Sequence, residues 1–169
     1  MDSDQFETMV RAYSSDLYRF AFWLCRNRWQ AQDLVQDCFA AAWSARQSLR
    51  DQGTPKAWLF SILRNKHAST YQRKQLDTLE VELDELPATV TSGYERVELQ
   101  QCLETLPEIY REPLVLQLLG GFSGKEIAHM LGITEQNVMT RLCRARQSLR
   151  RLVNSRNESR FEGVKKWNA

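Results

Sequence analysis

Apolar residues recur at three- and four-residue spacing along almost all of this 169-residue chain. This period is typical of helices that bury one face. It fades between residues 76 and 93, where acidic residues, turn formers and β-branched residues follow one another without a pattern. The sequence therefore predicts an all-α fold, with two small helical domains over residues 1–75 and 94–169 and a flexible linker over residues 76–93.

Local breaks divide the first domain into three predicted helices. The first helix ends near Asn27, and the second runs from about residue 30 to residue 49. A polar loop follows, in which Thr54 is a suitable N-cap and Pro55 a suitable first helical residue, because that position needs no amide donor. The third helix is expected to end near residue 74.

The second domain is expected to hold several short helices. Pro107 and Pro113 each stand near a predicted helix start, and helices are predicted at about 110–120, 123–131 and 134–154. The sequence leaves open whether the tail after Arg156 forms a short helix or frays.

Composition excludes several classes of protein. No run of about 18 apolar residues exists, so no spanning helix is expected, and the acidic N-terminus is unlike a secretory signal. A cytoplasmic protein without direct membrane insertion is therefore expected. The four cysteines form no CxxC pair and are predicted to be reduced and mostly buried, and no metal site or cofactor is predicted. With no nucleophile–base set and no phosphate-binding glycine loop, the chain is not expected to be an enzyme.

Charge is distributed unevenly along the chain. Residues 1–75 hold 11 basic and 7 acidic groups, residues 76–112 hold 2 and 10, and residues 113–169 hold 10 and 4. Two basic ends around an acidic middle indicate two modules that bind a polyanion, joined by a segment that a polyanion repels.

A helix-turn-helix is predicted over residues 122–138. Ser123 and Glu126 have the spacing of a capping box, and Gly132 stands where a helix end favours a left-handed residue. Thr134 is the expected cap of the next helix. Two helices joined by a short turn that contains glycine are typical of a DNA-binding helix-turn-helix.

The second helix of this motif has two different faces at 100° per residue. Its buried face is predicted to consist of Val138, Leu142, Ala145, Leu149 and Leu152. The opposite side carries amides, a hydroxyl and guanidinium groups, which suit base edges and phosphates in a major groove. With the start of the first helix, the candidate contacts are Ser123, Lys125, Gln136, Asn137, Met139, Thr140, Arg141, Cys143, Arg144 and Gln147.

With both halves considered, the chain resembles the extracytoplasmic-function (group IV) sigma factors of bacterial RNA polymerase. In the first domain the resemblance rests on the segments at 31–43 and 55–65. In the second it rests on Leu106-Pro107, the helix-turn-helix and the segment at 141–146. The resemblance implies a subunit that binds core polymerase, promoter DNA and an anti-sigma factor, often a membrane-anchored one.

The same resemblance implies roles for particular residues. The helix-turn-helix would read the upstream (−35) promoter element. The polymerase clamp helices would be bound by Asp33, Leu34, Gln36, Asp37 and Ala40. The downstream (−10) element would be opened and read by Arg50, Gln52, Thr54, Lys56, Arg64, Asn65, Lys66, Ser69 and Arg73. Trp58, in the same segment, is better explained as a core residue.

Four positions depart from the family pattern. Cys38 replaces a common threonine, Gly124 a bulky or polar residue, Asn137 a frequent threonine and Met139 a frequent basic residue. Because of these departures, the sequence does not identify which promoter bases are recognised. Two other functions stay open as well: a helix-turn-helix regulator that acts without polymerase, and a helical adaptor that binds protein only.

Overall fold

A computed structural model of the chain describes residues 1–47, 54–74 and 100–167, and of residues 71–74 and 156–167 it describes the backbone alone. The chain divides into two compact units, Met1–Pro87 and Ala88–Ala169. The described residues form helices and short connections without a strand, which confirms the all-α fold class. The predicted linker at 76–93 lies outside the described residues.

The first unit contains three helices that pack on one another: α1 (Ser3–Cys25), α2 (Arg28–Ser44) and α3 (Pro55–Lys74). The break predicted near Asn27 is confirmed. Arg26 ends α1 in the left-handed conformation, with φ 55°, and the Asn27 side chain then accepts a hydrogen bond from the Gln30 amide at 3.0 Å. One connection of two residues therefore closes α1 and caps α2.

Helix α2 ends at Ser44, so the predicted end near residue 49 is wrong. The guanidinium of Arg46 lies over the Trp43 ring, 4.2 Å from its centroid, and Nη1 donates to the Trp43 carbonyl at 2.9 Å. This contact adds to the hydrogen bonds that the Ala45 amide donates to the Ala41 and Trp43 carbonyls at the end of the helix. Ala45, the C-cap residue, is exposed.

The core of the first unit is apolar. Phe20 of α1 and Phe60 of α3 have ring centroids 5.0 Å apart, and α2 contributes the buried Leu34 and Cys38. Trp58 is only 4% exposed, which confirms its assignment to the core. Aromatic side chains bury a large apolar area, so these contacts orient the three helices around one centre.

The second unit contains α4, described over residues 100–105, then α5 (Glu108–Gly120), α6 (Gly124–Leu131) and α7 (Glu135–Trp167). Pro107 stands at the N-cap of α5. Pro113 is buried inside that helix and not near its start, so the prediction for Pro113 is wrong. The backbone of α7 continues to Trp167, well past the predicted end near residue 154.

Two leucines of α5 provide a matched test of this packing. Leu116 is fully buried, whereas Leu118, two residues along, is 57% exposed. We expect Leu116→Ala to lower the free energy of unfolding of the second unit by about 2–5 kcal/mol, because it leaves a cavity. We expect Leu118→Ala to change it by less than about 0.5 kcal/mol. Urea denaturation followed by circular dichroism measures both, and equal losses would contradict the packing described.

Candidate nucleic-acid and partner-binding surfaces

The turn between α6 and α7 has the local geometry predicted for a helix-turn-helix. The Ser123 hydroxyl accepts from the Glu126 amide at 3.3 Å, and the Glu126 carboxylate accepts from the Ser123 amide at 2.9 Å. Gly132 has φ 65°, and the Thr134 hydroxyl accepts from the Asn137 amide at 3.2 Å. The capping box, the left-handed glycine and the second cap are therefore confirmed.

Helix α7 buries one face and exposes the other. Val138, Leu142 and Ala145 are buried as predicted, while Leu149 and Leu152 are half-buried. Met130 of α6 is also buried, on the same side of the helix as Ile127, and sequence analysis did not single it out. Most candidate contacts on the other side are exposed, namely Gln136, Asn137, Met139, Thr140, Cys143, Arg144 and Gln147.

The remaining candidates of this unit lie beside that face. Ser123 and Lys125, at the start of α6, are exposed, and Arg141 is half-buried. Two further arginines of α7 contact α5: Arg144 Nη1 donates to the Tyr110 hydroxyl at 3.2 Å, and Arg146 Nη2 donates to Gln117 Oε1 at 2.6 Å. These bonds hold two guanidinium groups in place at the surface.

Helix α2 carries an exposed stripe, which we define as Asp33, Gln36, Asp37 and Ala40. Leu34, predicted to share in partner binding, is only 6% exposed and belongs to the core instead. Trp29 lies four residues before Asp33, on the same side of the helix, and is 73% exposed. Sequence analysis missed Trp29, although helical periodicity alone places it in line with the stripe.

Cys38 lies beside the stripe but points into the unit. Its thiol donates to the Leu59 carbonyl of α3 at 3.3 Å, and burial raises its pKa to about 12. The thiol is therefore protonated and unreactive at neutral pH. Of the four cysteines, Cys38 and Cys102 are buried, Cys25 is half-buried and Cys143 is exposed, so the expectation of mostly buried thiols holds for only two.

Helix α3 exposes a polar groove near the stripe. Asn65, Lys66, Ser69 and Thr70 line this groove, together with Ile62 and Asp37. Thr54 is exposed and caps the helix, since its hydroxyl accepts from the Ala57 amide at 3.3 Å, and Arg64 is half-buried. Arg50 and Gln52 lie outside the described residues, and of Arg73 only the helical backbone is described.

Lys56 was predicted to contact DNA, but its side chain is engaged within the unit. Its Nζ lies 2.7 Å from Asp16 Oδ2 of α1, and Arg19 also binds that carboxylate. Burial raises the pKa of Asp16, but the hydrogen bonds from Lys56 and Arg19 outweigh this effect, so the pKa lies below its ordinary value. The structure thus gives Lys56 a role in joining α3 to α1.

Metal sites, disulfides and membrane-spanning helices are absent from the described part of the chain. It contains no group of three His, Cys, Asp or Glu side chains that is placed to hold a metal ion. No two of the four cysteines are joined by a disulfide. No described helix has both the length and the apolar character needed to cross a bilayer.

Two protein-family models match the chain in sequence. Residues 9–76 match Sigma-70 region 2, and residues 96–149 match Sigma-70, region 4. The chain is 32% identical over 156 residues to the ECF RNA polymerase sigma factor SigM of Bacillus subtilis, covering 88% of this chain and 94% of SigM. It is 31% identical to RNA polymerase sigma factor SigV of the same organism, covering 85% and 87%.

Solved structures show the same fold. The sigma factor RpoE of Bartonella quintana, in complex with the anti-sigma factor NepR, superposes with a TM-score of 0.73 at 27% identity, covering 89% of this chain and 97% of RpoE. CnrH, in complex with the cytosolic domain of CnrY, gives 0.67 at 27% identity, covering 91% and 90%. The chain belongs to the extracytoplasmic-function sigma factors of RNA polymerase, which direct the enzyme to initiate transcription at promoters.

Proposed function

We propose that the two units of this sigma factor bind separate parts of the transcription machinery. Residues 1–75 would act as sigma region 2, on core polymerase and the downstream promoter element. Residues 94–169 would act as region 4, on the upstream element, with residues 76–93 as the linker. The observation that carries this proposal is the order of the two family matches along two separate helical units.

The stripe on α2 is the proposed contact with the clamp helices of core polymerase. Its carboxylates are exposed on one side of a helix whose other side is held in the core through Leu34 and Cys38. Such a rigid acidic face suits a basic partner surface. Trp29 extends the stripe with an exposed indole, and tryptophan is among the residues that dominate binding energy at protein interfaces.

The groove on α3 is the proposed contact with melted downstream DNA. Asn65, Lys66 and Ser69 offer an amide, a cation and a hydroxyl on one exposed face. No step consumes fuel or needs a catalytic group of this chain. The strands stay open because the protein binds the open form more tightly than the duplex, and an extruded base costs only a few kcal/mol.

The outward face of α7 is the proposed reader of the upstream element as duplex. Gln136 and Asn137 near the helix start are suited to base edges, and Arg144 is suited to phosphates. The hydrogen bond from Arg144 to Tyr110 restricts the guanidinium before DNA arrives. A side chain held in place in this way loses less entropy on binding.

An anti-sigma factor is the proposed regulatory partner. One structural neighbour is a sigma factor solved with an anti-sigma factor, and another, CnrH, was solved with the cytosolic domain of CnrY. An inhibitor that covers the stripe on α2 would prevent polymerase from binding there. The protein would then act in the cytoplasm once that inhibitor is removed.

Charge reversal tests the docking surface. We expect Asp33→Lys with Asp37→Lys to weaken binding to core polymerase at least tenfold, and Trp29→Ala to weaken it about threefold to tenfold. Glu7→Lys is the control, because Glu7 is an exposed carboxylate that belongs to α1 and not to α2. Biolayer interferometry on the full chain measures the affinities. If the double variant binds core enzyme as tightly as the wild type, the stripe is not the docking surface.

Removal of two polar side chains tests the groove on α3. We expect Asn65→Ala with Lys66→Ala to leave polymerase affinity unchanged and to lower promoter opening at least fivefold. Permanganate reactivity of thymines in the downstream element measures opening, on a promoter mapped after overexpression of the protein. Arg11→Ala is the control, since Arg11 is an exposed cation of α1. Normal opening by the double variant would remove the groove from the proposed mechanism.

Competition tests the regulatory partner. We expect a tagged full-length chain to recover, besides polymerase, a second protein that displaces core polymerase from the purified chain. The Asp33→Lys, Asp37→Lys variant is expected to bind that protein less tightly, because both partners would use the stripe. Recovery of polymerase subunits alone, from cells grown under many stresses, would contradict the proposal.

A gel shift with promoter DNA, carried out with and without core enzyme, distinguishes this proposal from a helix-turn-helix regulator that acts without polymerase. Such a regulator binds its DNA site in the absence of core enzyme.

A further inference from the structure

Met139 is an apolar residue at the centre of an otherwise polar surface. It lies on the outward face of α7, five residues into the helix, and is 52% exposed. Its exposed neighbours on the helix are Glu135, Gln136 and Thr140, which carry a carboxylate, an amide and a hydroxyl, and Cys143 one turn further along. The core is already filled from the other face by Val138 and Leu142, so packing within the unit does not account for Met139.

Gly124 leaves room for the thioether across the helix-turn-helix. A Cβ atom added at Gly124 would lie 3.4 Å from Met139 Sδ and 3.7 Å from both Cγ and Oε1 of Glu135. A long side chain at residue 124 would compete for the volume that Met139 uses. Gly124 and Met139 therefore form one small patch beside the Glu135 carboxylate, at positions where a bulky or polar residue and a basic residue are frequent in the family.

The chemistry of the major groove limits what such a patch can recognise. A thioether accepts hydrogen bonds weakly and donates none, so it reads neither the acceptors of guanine nor the donors of adenine and cytosine. The C5-methyl group of thymine is the apolar group that base edges present in this groove. Methionine is flexible and polarisable, which suits it to cover a methyl group.

We propose that Met139 selects thymine at one position of the upstream promoter element by contact with its C5-methyl group. The inference rests on the proposed function of α7 as the reader of that element. It accounts for the paired departures at residues 124 and 139, since the loss of a cation at 139 exchanges a charged contact for an apolar one. Specificity at this base is then set by shape and not by hydrogen bonding.

Selection from a library tests this proposal. Holoenzyme with the wild-type chain, or with Met139→Ala, selects from promoters randomised in the upstream element, and the enriched sequences are compared. The best wild-type promoter is then made with single thymines replaced by deoxyuridine, which removes only the methyl group. We expect one replacement to weaken wild-type binding about fourfold, the effect of one buried methyl group, and to leave Met139→Ala binding unchanged.

Val153→Ala is the matched control, because Val153 is also an exposed apolar residue of α7, 42% exposed and about four turns further along. This variant should keep the thymine preference and the sensitivity to deoxyuridine. If Met139→Ala keeps both as well, the proposal for Met139 is overturned while the reading of the upstream element stands. If wild-type holoenzyme enriches no upstream sequence, the proposed function of α7 fails too. If Met139→Ala loses both the thymine preference and affinity for polymerase, the patch is instead assigned to a protein contact.

Discussion

The packing of one face of α7 against α5 and α6 is the constraint on which the DNA-binding unit depends. Val138, Leu142 and Ala145 are fully buried, so the helix has only one rotational setting in which its apolar face is removed from water. That setting turns the amides, the hydroxyl and Met139 outward. The same packing brings Arg144 beside Tyr110 and Arg146 beside Gln117, and each guanidinium donates one hydrogen bond to that α5 side chain.

Helix α2 applies the same principle to a protein partner. Leu34 and Cys38 attach it to the core, and the Cys38 thiol adds a hydrogen bond to the Leu59 carbonyl of α3. The stripe and Trp29 occupy the other side. A partner therefore meets a face that is already ordered, so less conformational entropy is lost when it binds. The cysteine that replaces a common threonine at this position fits a role in packing, because burial keeps its thiol protonated.

Charged residues divide into those that hold the fold together and those that are exposed for a partner, and residue type does not distinguish them. Lys56 and Lys66 both belong to α3 and were both predicted to contact DNA. Lys56 forms an ion pair with Asp16 of α1, whereas Lys66 is exposed in the groove. The difference depends on what the neighbouring helix places opposite each lysine, which the local sequence does not contain.

The sequence alone determined the helical fold class, the helix-turn-helix and the family, because periodicity, caps and motif spacing are local properties of the chain. Ser123, Gly132 and Thr134 illustrate this: each acts on backbone groups within a few residues. Tertiary structure decided what depends on contacts between helices. It placed Leu34 in the core, ended α2 at Ser44 through Arg46, engaged Lys56 with Asp16 and set Met139 beside Gly124. Each of these outcomes is fixed by the three-dimensional neighbours of a side chain, and periodicity gives only the side of the helix on which it lies.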